Sequence, residues 1–424
     1  MSYILFLVYL FLYCWLLTKI RFVKNAGLGT RVVVGLFLVK LSAGLIYGWL
    51  MHRATYLADT WDYHNESMVE YHLLFSNPKE YFLDFFQSNY GSHYGGFFDS
   101  YRSYWNDLRS NLVIKLLSVF DIFSFGNYYI NVIFYNFIIF FGNLGLFRVF
   151  AHIYKDKKWQ LVVACFLLPS LLFFGSGIHK DGLILGLLGI IIFNIYYSLN
   201  YSGFTFRRII YITLALCFIF LLRNFIFIAI IPAIVAWLIA HNKRHASIVI
   251  FLVTYLISAI VFFNIGEISS RLSLPEKVVQ RQIDFNGLEK AATDIPLNPL
   301  KPTFKSFIAS APQSFNHSLM RPYISDISLA KFLLPFSVEI FFYELIFVLF
   351  LFFHIKYKDR SIPNDPFILF GVFFSLSVFL MVGYTIPILG SIIRYRSIYL
   401  PFILAPVFCN IPWQLLRNSI QIKK

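Results

Sequence analysis

Apolar runs recur along the whole chain, at residues 3–18, 32–50, 128–147, 161–175, 183–199, 209–222, 225–240, 246–263, 334–354, 367–384 and 398–413. Runs of this length do not suit a soluble core. A hydrocarbon layer about 30 Å thick is crossed by roughly 20 helical residues, and a helix is the form in which one segment satisfies its own backbone in lipid. The runs are continuous, without the period-two alternation of barrel strands. Of the 424 residues, 58% are hydrophobic and only 13% charged, against about 25% charged in soluble domains. The expected fold is therefore all-α, a polytopic transmembrane bundle of about eleven spans forming one integral membrane domain over residues 1–424.

The four cysteines, Cys14, Cys165, Cys217 and Cys409, all fall within apolar runs and read as small buried hydrophobes, with no disulfide or zinc spacing. The first run starts at Tyr3 with no basic segment before it, which predicts a retained span and not a cleaved signal. Basic residues then sort the connections. Lys19, Arg21, Lys24 and Arg31, then Arg148 with Lys155, Lys157 and Lys158, Arg207–Arg208, Lys243–Arg244, Lys356–Lys358–Arg360 and the tail at Arg417, Lys423 and Lys424 occupy alternate connections. The positive-inside rule then places the N-terminus outside and the C-terminus in the cytosol. The net charge of +15 faces anionic lipid, so membrane lipids are the expected partners and nucleic acid is not.

This orientation leaves two long segments, 51–127 and 264–331, on the outer side, while the cytosolic connections are short. The first outer segment is rich in rings, among them Tyr56, Trp61, Tyr63, Tyr71, Tyr81, Phe82, Phe85, Phe86, Tyr90, Tyr94 and Trp105, which suit an aromatic belt or sugar stacking. Asn77-Pro78 reads as an N-cap with proline at the first helical position. It predicts a short interfacial helix with Tyr81, Phe82, Phe85 and Phe86 on one face. Just past the second run, Asp59, Asp62, His64 and Glu66 crowd eight residues. On a helix Asp59 and Asp62 are neighbours, as are Asp62 and Glu66. Like charges so close raise one pKa or recruit a cation, so the cluster suits a general base, a metal site, or a solvated helix end.

Cations gather on the same side. Lys180 lies in the turn Ser176-Gly-Ile-His-Lys-Asp-Gly182, beside His179 and Asp181. Arg223 interrupts an apolar stretch, Arg321 precedes Pro322, and Arg394 and Arg396 precede the last run. Each alone is explained by snorkelling to headgroups. Together they lie opposite the face that the positive-inside rule fills, and such a set can hold a phosphate. Lys40, at the middle of the second run, costs at least about 2.5–3.5 kcal/mol there unless it finds a partner. Glu339 and Glu344 are the acidic residues well inside apolar runs, so a Lys40 pair with one of them is expected. In the second outer segment, residues from about Pro275 predict an amphipathic surface helix carrying Glu276, Lys277, Arg281 and Asp284. A proline-rich stretch follows Gly287.

The acidic stretch with its nearby tyrosine, early in the first outer segment, resembles the polytopic glycosyltransferases of the GT-C superfamily. It is also similar to the segment after the second span in EpsG/Wzy-type polysaccharide polymerases, with Asp59, Thr60 and Tyr63 at the matching positions. The resemblance implies an enzyme of the outer face of a bacterial cytoplasmic membrane. Its donor would be a sugar on a polyprenyl phosphate and its acceptor a glycan or lipid-linked glycan. It assigns Asp59 or Asp62 as the base for the acceptor hydroxyl, with His64 and Glu66 orienting it or binding a metal. Lys180, Arg223, Arg321, Arg394 and Arg396 would hold the leaving phosphate, with His179, Asp181, Lys40 and Glu339 in support. Mg²⁺ or Mn²⁺ at Asp59 and Asp62 is the one cofactor considered. A repeat-unit polymerase would use the same substrates with arginines of both outer segments. A transporter or lipid-linked glycan flippase would instead use the Lys40 pair as its coupling site.

Overall fold

A computed structural model describes residues 2–53, 59–86, 104–357 and 364–413. Among these residues every regular element is helical and no strand occurs. Seven helices are long and apolar enough to cross a membrane, nine if each of two bent pairs is one span.

The first apolar run forms α1 (Ser2–Lys19), followed by the short α2 (Arg21–Lys24) and by α3 (Thr30–Arg53). Between residues 51 and 127 the described residues form α4 (Asp59–Ser76), α5 (Pro78–Leu83) and α6 (Tyr104–Ser124). The cap expected at Asn77 is present: its side chain accepts from the Glu80 N–H at 3.4 Å and donates to the Glu80 carboxylate at 2.8 Å. The expected shared aromatic face is not. Tyr81 is buried, its hydroxyl 2.9 Å from Ser118 Oγ, whereas Phe82 is exposed, because adjacent residues on a helix point about 100° apart. Lys115 ties this region together, paired with Glu70 and Asp84 and donating to the Tyr81 carbonyl at 2.7 Å. Tyr56, Tyr90 and Tyr94, and the side chain of Trp105, lie outside the described residues.

The centre of the bundle is α7 (Tyr128–Ile153), buried along most of its length. The chain then runs through α8 (Lys158–Val162) and a π-turn into α9 (Pro169–Ser176), bent 45° from the preceding segment at a break. It continues as α10 (Lys180–Tyr197). Gly142 of α7 meets Gly186 and Gly189 of α10 so closely that a Cβ at Gly142 would lie 2.7 Å from the Gly186 carbonyl oxygen. Small residues permit such backbone contact in membranes. Outer helices follow: α11 (Phe206–Leu222), α12 (Asn224–His241) and α13 (Ser247–Ile268). Cys217 of α11 is exposed on this periphery, unlike the buried Cys165 and Cys409, so it faces the surroundings and not the core.

The long segment 264–331 contributes α14 (Leu274–Asn286), the amphipathic helix expected from Pro275, and α15 (Phe304–Phe315). It is fastened to the bundle and not free. Gln282 donates to the Tyr384 carbonyl at 2.6 Å, Ile295 N–H to the Pro387 carbonyl at 2.8 Å, and Leu389 N–H to the Thr293 carbonyl at 3.0 Å. The chain ends in α16 (Leu334–Tyr357), α17 (Pro366–Thr385), and the pair α18 (Leu389–Ser397) and α19 (Leu400–Asn410), bent by 63°.

Lys40 does not pair with Glu339 or Glu344. Its ammonium donates to the Gly175 carbonyl at 2.9 Å and to Ser176 Oγ at 3.4 Å. Glu339 instead accepts from the Ser170 N–H and hydroxyl, both at 3.0 Å, and from the Tyr343 hydroxyl. The intramembrane charges are satisfied by opposite ends of α9 and not by each other.

Candidate functional site

The position of Asp59 is set by the two residues after it. Thr60 Oγ1 lies 2.7 Å from the Tyr128 hydroxyl, and Trp61 donates to the Gly48 carbonyl at 2.9 Å while stacking on Tyr128 at 4.1 Å. These anchors hold the first turn of α4 against α3 and α7. The turn between α9 and α10 is fixed from the other side. Tyr135 hydrogen-bonds the His179 carbonyl, and the Tyr47 hydroxyl meets His179 Nε2. Burial, reinforced by the nearby Arg394, pushes His179 down to about 3 and keeps its ring neutral. Lys180 and Asp181 then open α10, with Asp181 in the first turn, where a carboxylate faces the positive end of the helix.

Arg223 occupies an extended break between α11 and α12 and reaches Asp181 at 2.9 Å. From the far end of the chain, Arg394 of α18 lies 2.9 Å from Asp59 and 3.6 Å from Asp181. Tyr395 packs under both guanidinium groups, its ring 3.8 Å from Arg223 and 5.1 Å from Arg394, and its hydroxyl accepts from Arg394 at 3.3 Å. Asp59, Arg223, Arg394 and Tyr395 line a cavity of about 340 Å³ with Tyr63, Lys180, Arg109, Ser110, Arg281, Asp284 and Phe285. Lys180 donates to Ser110 Oγ at 3.1 Å and sits 5.3 Å above the Tyr63 ring.

The electrostatics follow from this packing. Arg394 holds the Asp59 carboxyl well below the usual carboxylate range, outweighing the opposing effect of desolvation. Asp59 is thus a fixed anion with little appetite for a proton, although its side chain is 50% exposed. Burial pushes Arg281 down to about 10, and the neighbouring Arg109 and Arg223 act in the same sense. Five basic side chains therefore face two lining carboxylates, Asp59 and Asp284, with Asp181 behind them. Desolvation, then Arg109 and Arg223, push the proton affinity of Lys180 well down, and the four arginines still leave the cavity net positive, which suits an anion.

Of the residues expected from sequence, Asp59, Lys180, Arg223 and Arg394 line this cavity, and Asp181 and His179 brace its wall. Asp62, His64 and Glu66 do not line it. His64 is buried against Trp61 and Tyr128. Glu66 is exposed. Desolvation, then Asp59 and Glu66, raise the Asp62 pKa, but α4 turns Asp59 and Tyr63 to the cavity, and Asp62 points about 100° away from Tyr63. Arg321 also lies elsewhere, 3.9 Å from Asp326. Arg396 is fully buried and donates to the carbonyls of Ser318, Leu319 and Arg321 at 2.9, 3.3 and 2.6 Å. Its guanidinium closes the end of the helical segment that follows α15.

Asp59 is engaged by Arg394, Asp62 is outside the cavity, and no three His, Cys, Asp or Glu side chains converge among the described residues. Arg109, Arg281 and Tyr395 escaped the sequence reading. For Arg281 a signal existed: Arg281, Asp284 and Phe285 share one face of α14, an unusual mixture for a face that merely meets water. For Arg109 and Tyr395 only the tertiary fold supplies the grouping. Compared with known protein families, curated proteins and solved structures, the chain matches none.

Proposed function

We propose that the protein is an integral membrane glycosyltransferase acting at the outer face of a bacterial cytoplasmic membrane. It spans the bilayer about eleven times, with the N-terminus outside and the C-terminus in the cytosol. Its donor is a glycan on a polyprenyl-phosphate-type carrier and its acceptor a hydroxyl of another glycan, in the assembly of a surface polysaccharide. The observation that carries this reading is the cavity in which Arg109, Lys180, Arg223, Arg281 and Arg394 surround the carboxylate of Asp59.

Glycosyl transfer breaks the bond between the anomeric carbon and a phosphate oxygen, and that oxygen departs with the electron pair. Preorganised cations at the departing oxygen stabilise the charge that develops. Arg223 and Arg394 are held in place by Asp181 and Asp59, so little reorganisation is needed when a phosphate arrives. Asp59 is half exposed and can accept a hydrogen bond from the acceptor hydroxyl. Because Arg394 depresses its proton affinity, Asp59 orients the hydroxyl, and the proton leaves with the phosphate product. The base role expected of Asp59 or Asp62 is thereby replaced by an orienting role for Asp59 alone.

Within this reading, a repeat-unit polymerase is favoured over a single-sugar transferase. The cavity draws one arginine from each outer segment, Arg109 and Arg281. Its several arginines give a diphosphate more charge-assisted partners than a single phosphate needs. The test is reconstitution of the purified protein with a polyprenyl-diphosphate-linked oligosaccharide. A ladder of products, abolished by Arg281→Ala, is expected. A single addition would return the assignment to a transferase, and unmodified substrate carried across the vesicle membrane would replace both with a transporter.

A further inference from the structure

Lys40 and Glu339 are among the most buried charges of the bundle, 3% and 4% exposed, and the reaction proposed above leaves both without a role. Glu339 of α16 sits at the N-terminus of α9, where its carboxylate accepts from the Ser170 N–H and hydroxyl. Lys40 of α3 sits at the C-terminus, on the Gly175 carbonyl and Ser176 Oγ. Asn136 of α7 takes the next carbonyl, that of Ser176, at 2.8 Å. The sign at each end opposes the partial charge that the helix itself presents there. Ser170 and Gly175 are separated by about 8 Å of helix rise, so each charge is answered by a helix end.

We propose that Lys40 and Glu339 form a two-ended clamp on α9, and that the clamp positions the His179-Lys180-Asp181 turn at the cavity. The proposal rests on the cavity reading for its purpose but not for its test. α9 is only eight residues long and starts at a break and a 45° bend, so its own hydrogen bonds do not fix its place. Its end leads straight through Gly177 to His179. A Cβ at Gly177 would meet the Tyr47 ring, so the path is tight. A shift of α9 along its axis is therefore transmitted to Lys180 and Asp181, and through Asp181 to Arg223 and Arg394. Lys40 and Glu339 are positioning residues for the cavity and have no contact with it.

The test needs no substrate. Lys180→Cys is placed in the full-length protein with Cys14, Cys165, Cys217 and Cys409 replaced by serine or alanine. The rate at which a charged, water-soluble thiol reagent modifies the new cysteine is then measured. Lys40→Met and Glu339→Gln, each in that background, are expected to change the rate by about fivefold or more. Lys40→Arg restores it, and the double variant deviates at least as far as either single one. Unchanged rates in both single variants, with the fold intact by melting and size, overturn the clamp. A double variant that returns to the parent rate also overturns it, because it marks a direct ion pair. If either variant fails to fold, Ser170→Ala, which removes one of the two bonds to Glu339, gives the same comparison. Loss of glycan transfer by Lys180→Ala, alongside unchanged labelling rates in the Lys40→Met and Glu339→Gln proteins, would separate failure of the clamp from failure of the proposed function.

Discussion

Arg394 and Arg396 stand two residues apart on α18 and serve regions with opposite demands. Arg394 looks into the polar cavity, its charge balanced by two carboxylates and partly open to an incoming anion. Arg396 is 0% exposed, and its partners are backbone carbonyls of the segment after α15. Two positions on a helix is about 200° of rotation, so an Arg-x-Arg pattern cannot place both guanidiniums on one substrate while the helix holds. The sequence pattern is symmetric and the roles are not. Arg396 is a fastening for the segment after α15, and Arg394 belongs to the cavity wall.

The sharpest way to break that contrast is Arg396→Met. It strands three carbonyls that accept from a buried charge, and a lost bond of this kind leaves a group whose desolvation is no longer offset. At about 1–3 kcal/mol for each carbonyl left unsatisfied, a large fall in melting temperature in detergent is expected. An Arg396 variant that melts normally but has lost transfer would reverse the assignment. Next in size is Arg394→Ala, which leaves Asp181 its bond to Arg223 and leaves Asp59 half exposed to water. The fold should survive, while the transfer rate falls by about 10²–10³, as when one preorganised oxyanion donor is lost.

The pH response probes both regions: His179 in the cavity wall, and His317 in the segment that Arg396 fastens, whose pKa desolvation and then Arg321 also lower. His179 is held neutral, at about 3 in the folded protein, against about 6.5 when unfolded. Below pH 6.5 the unfolded chain takes up a proton that the native chain refuses. Stability is therefore lost as pH falls from 6.5 towards 3, by at most about 1.4 kcal/mol per pH unit. The depressed Asp59 adds to the loss in the same direction, but only below about pH 4, where an unfolded aspartate protonates. Melting as a function of pH checks this. His179→Gln, which can still bond Tyr47, should flatten the slope between pH 6 and pH 5.

What could be read from the sequence divides along the same line. Apolar runs dictate helices because lipid leaves the backbone no other partner, and each run forms helix in the structure, broken at Leu168 within 161–175 and confined to Leu400–Asn410 within the last. Local signals also carried through. Asn77-Pro78 caps α5, and the charged pattern from Pro275 forms α14. Even the union of Asp59 with Arg394, 335 residues apart, followed from placing both just outside the membrane. What did not follow were partners that backbone groups can supply. Lys40 and Glu339 were matched by opposite charge, but a helix terminus answers either sign, and no residue letter records it. Arg396 was misread for the same reason, since carbonyls accept as well as a phosphate does. Residues 104–124 were read as loop because their polar and aromatic content hid α6, whose Asp121 is fully buried among Ser67, Ser124 and Asn131.

The smallest effect bears on the acidic cluster, where the choice lies between Asp59 and Asp62. Asp62 has the higher proton affinity, raised by its surroundings, and on pKa alone it is the better base. Geometry decides otherwise, because a base must come within hydrogen-bond reach of the hydroxyl it serves, and Asp62 is not part of the cavity wall. Asp62→Asn should therefore leave the transfer rate within about twofold of the parent, the scatter expected of a surface change worth less than ~0.5 kcal/mol. Asp59→Asn should cost more, because it removes the anion that holds Arg394 as well as the acceptor's hydrogen-bond partner. A rate that collapses in the Asp62 variant and survives in the Asp59 variant would mean that α4 turns by one face when substrate binds. The arginines would then have to be reassigned with it.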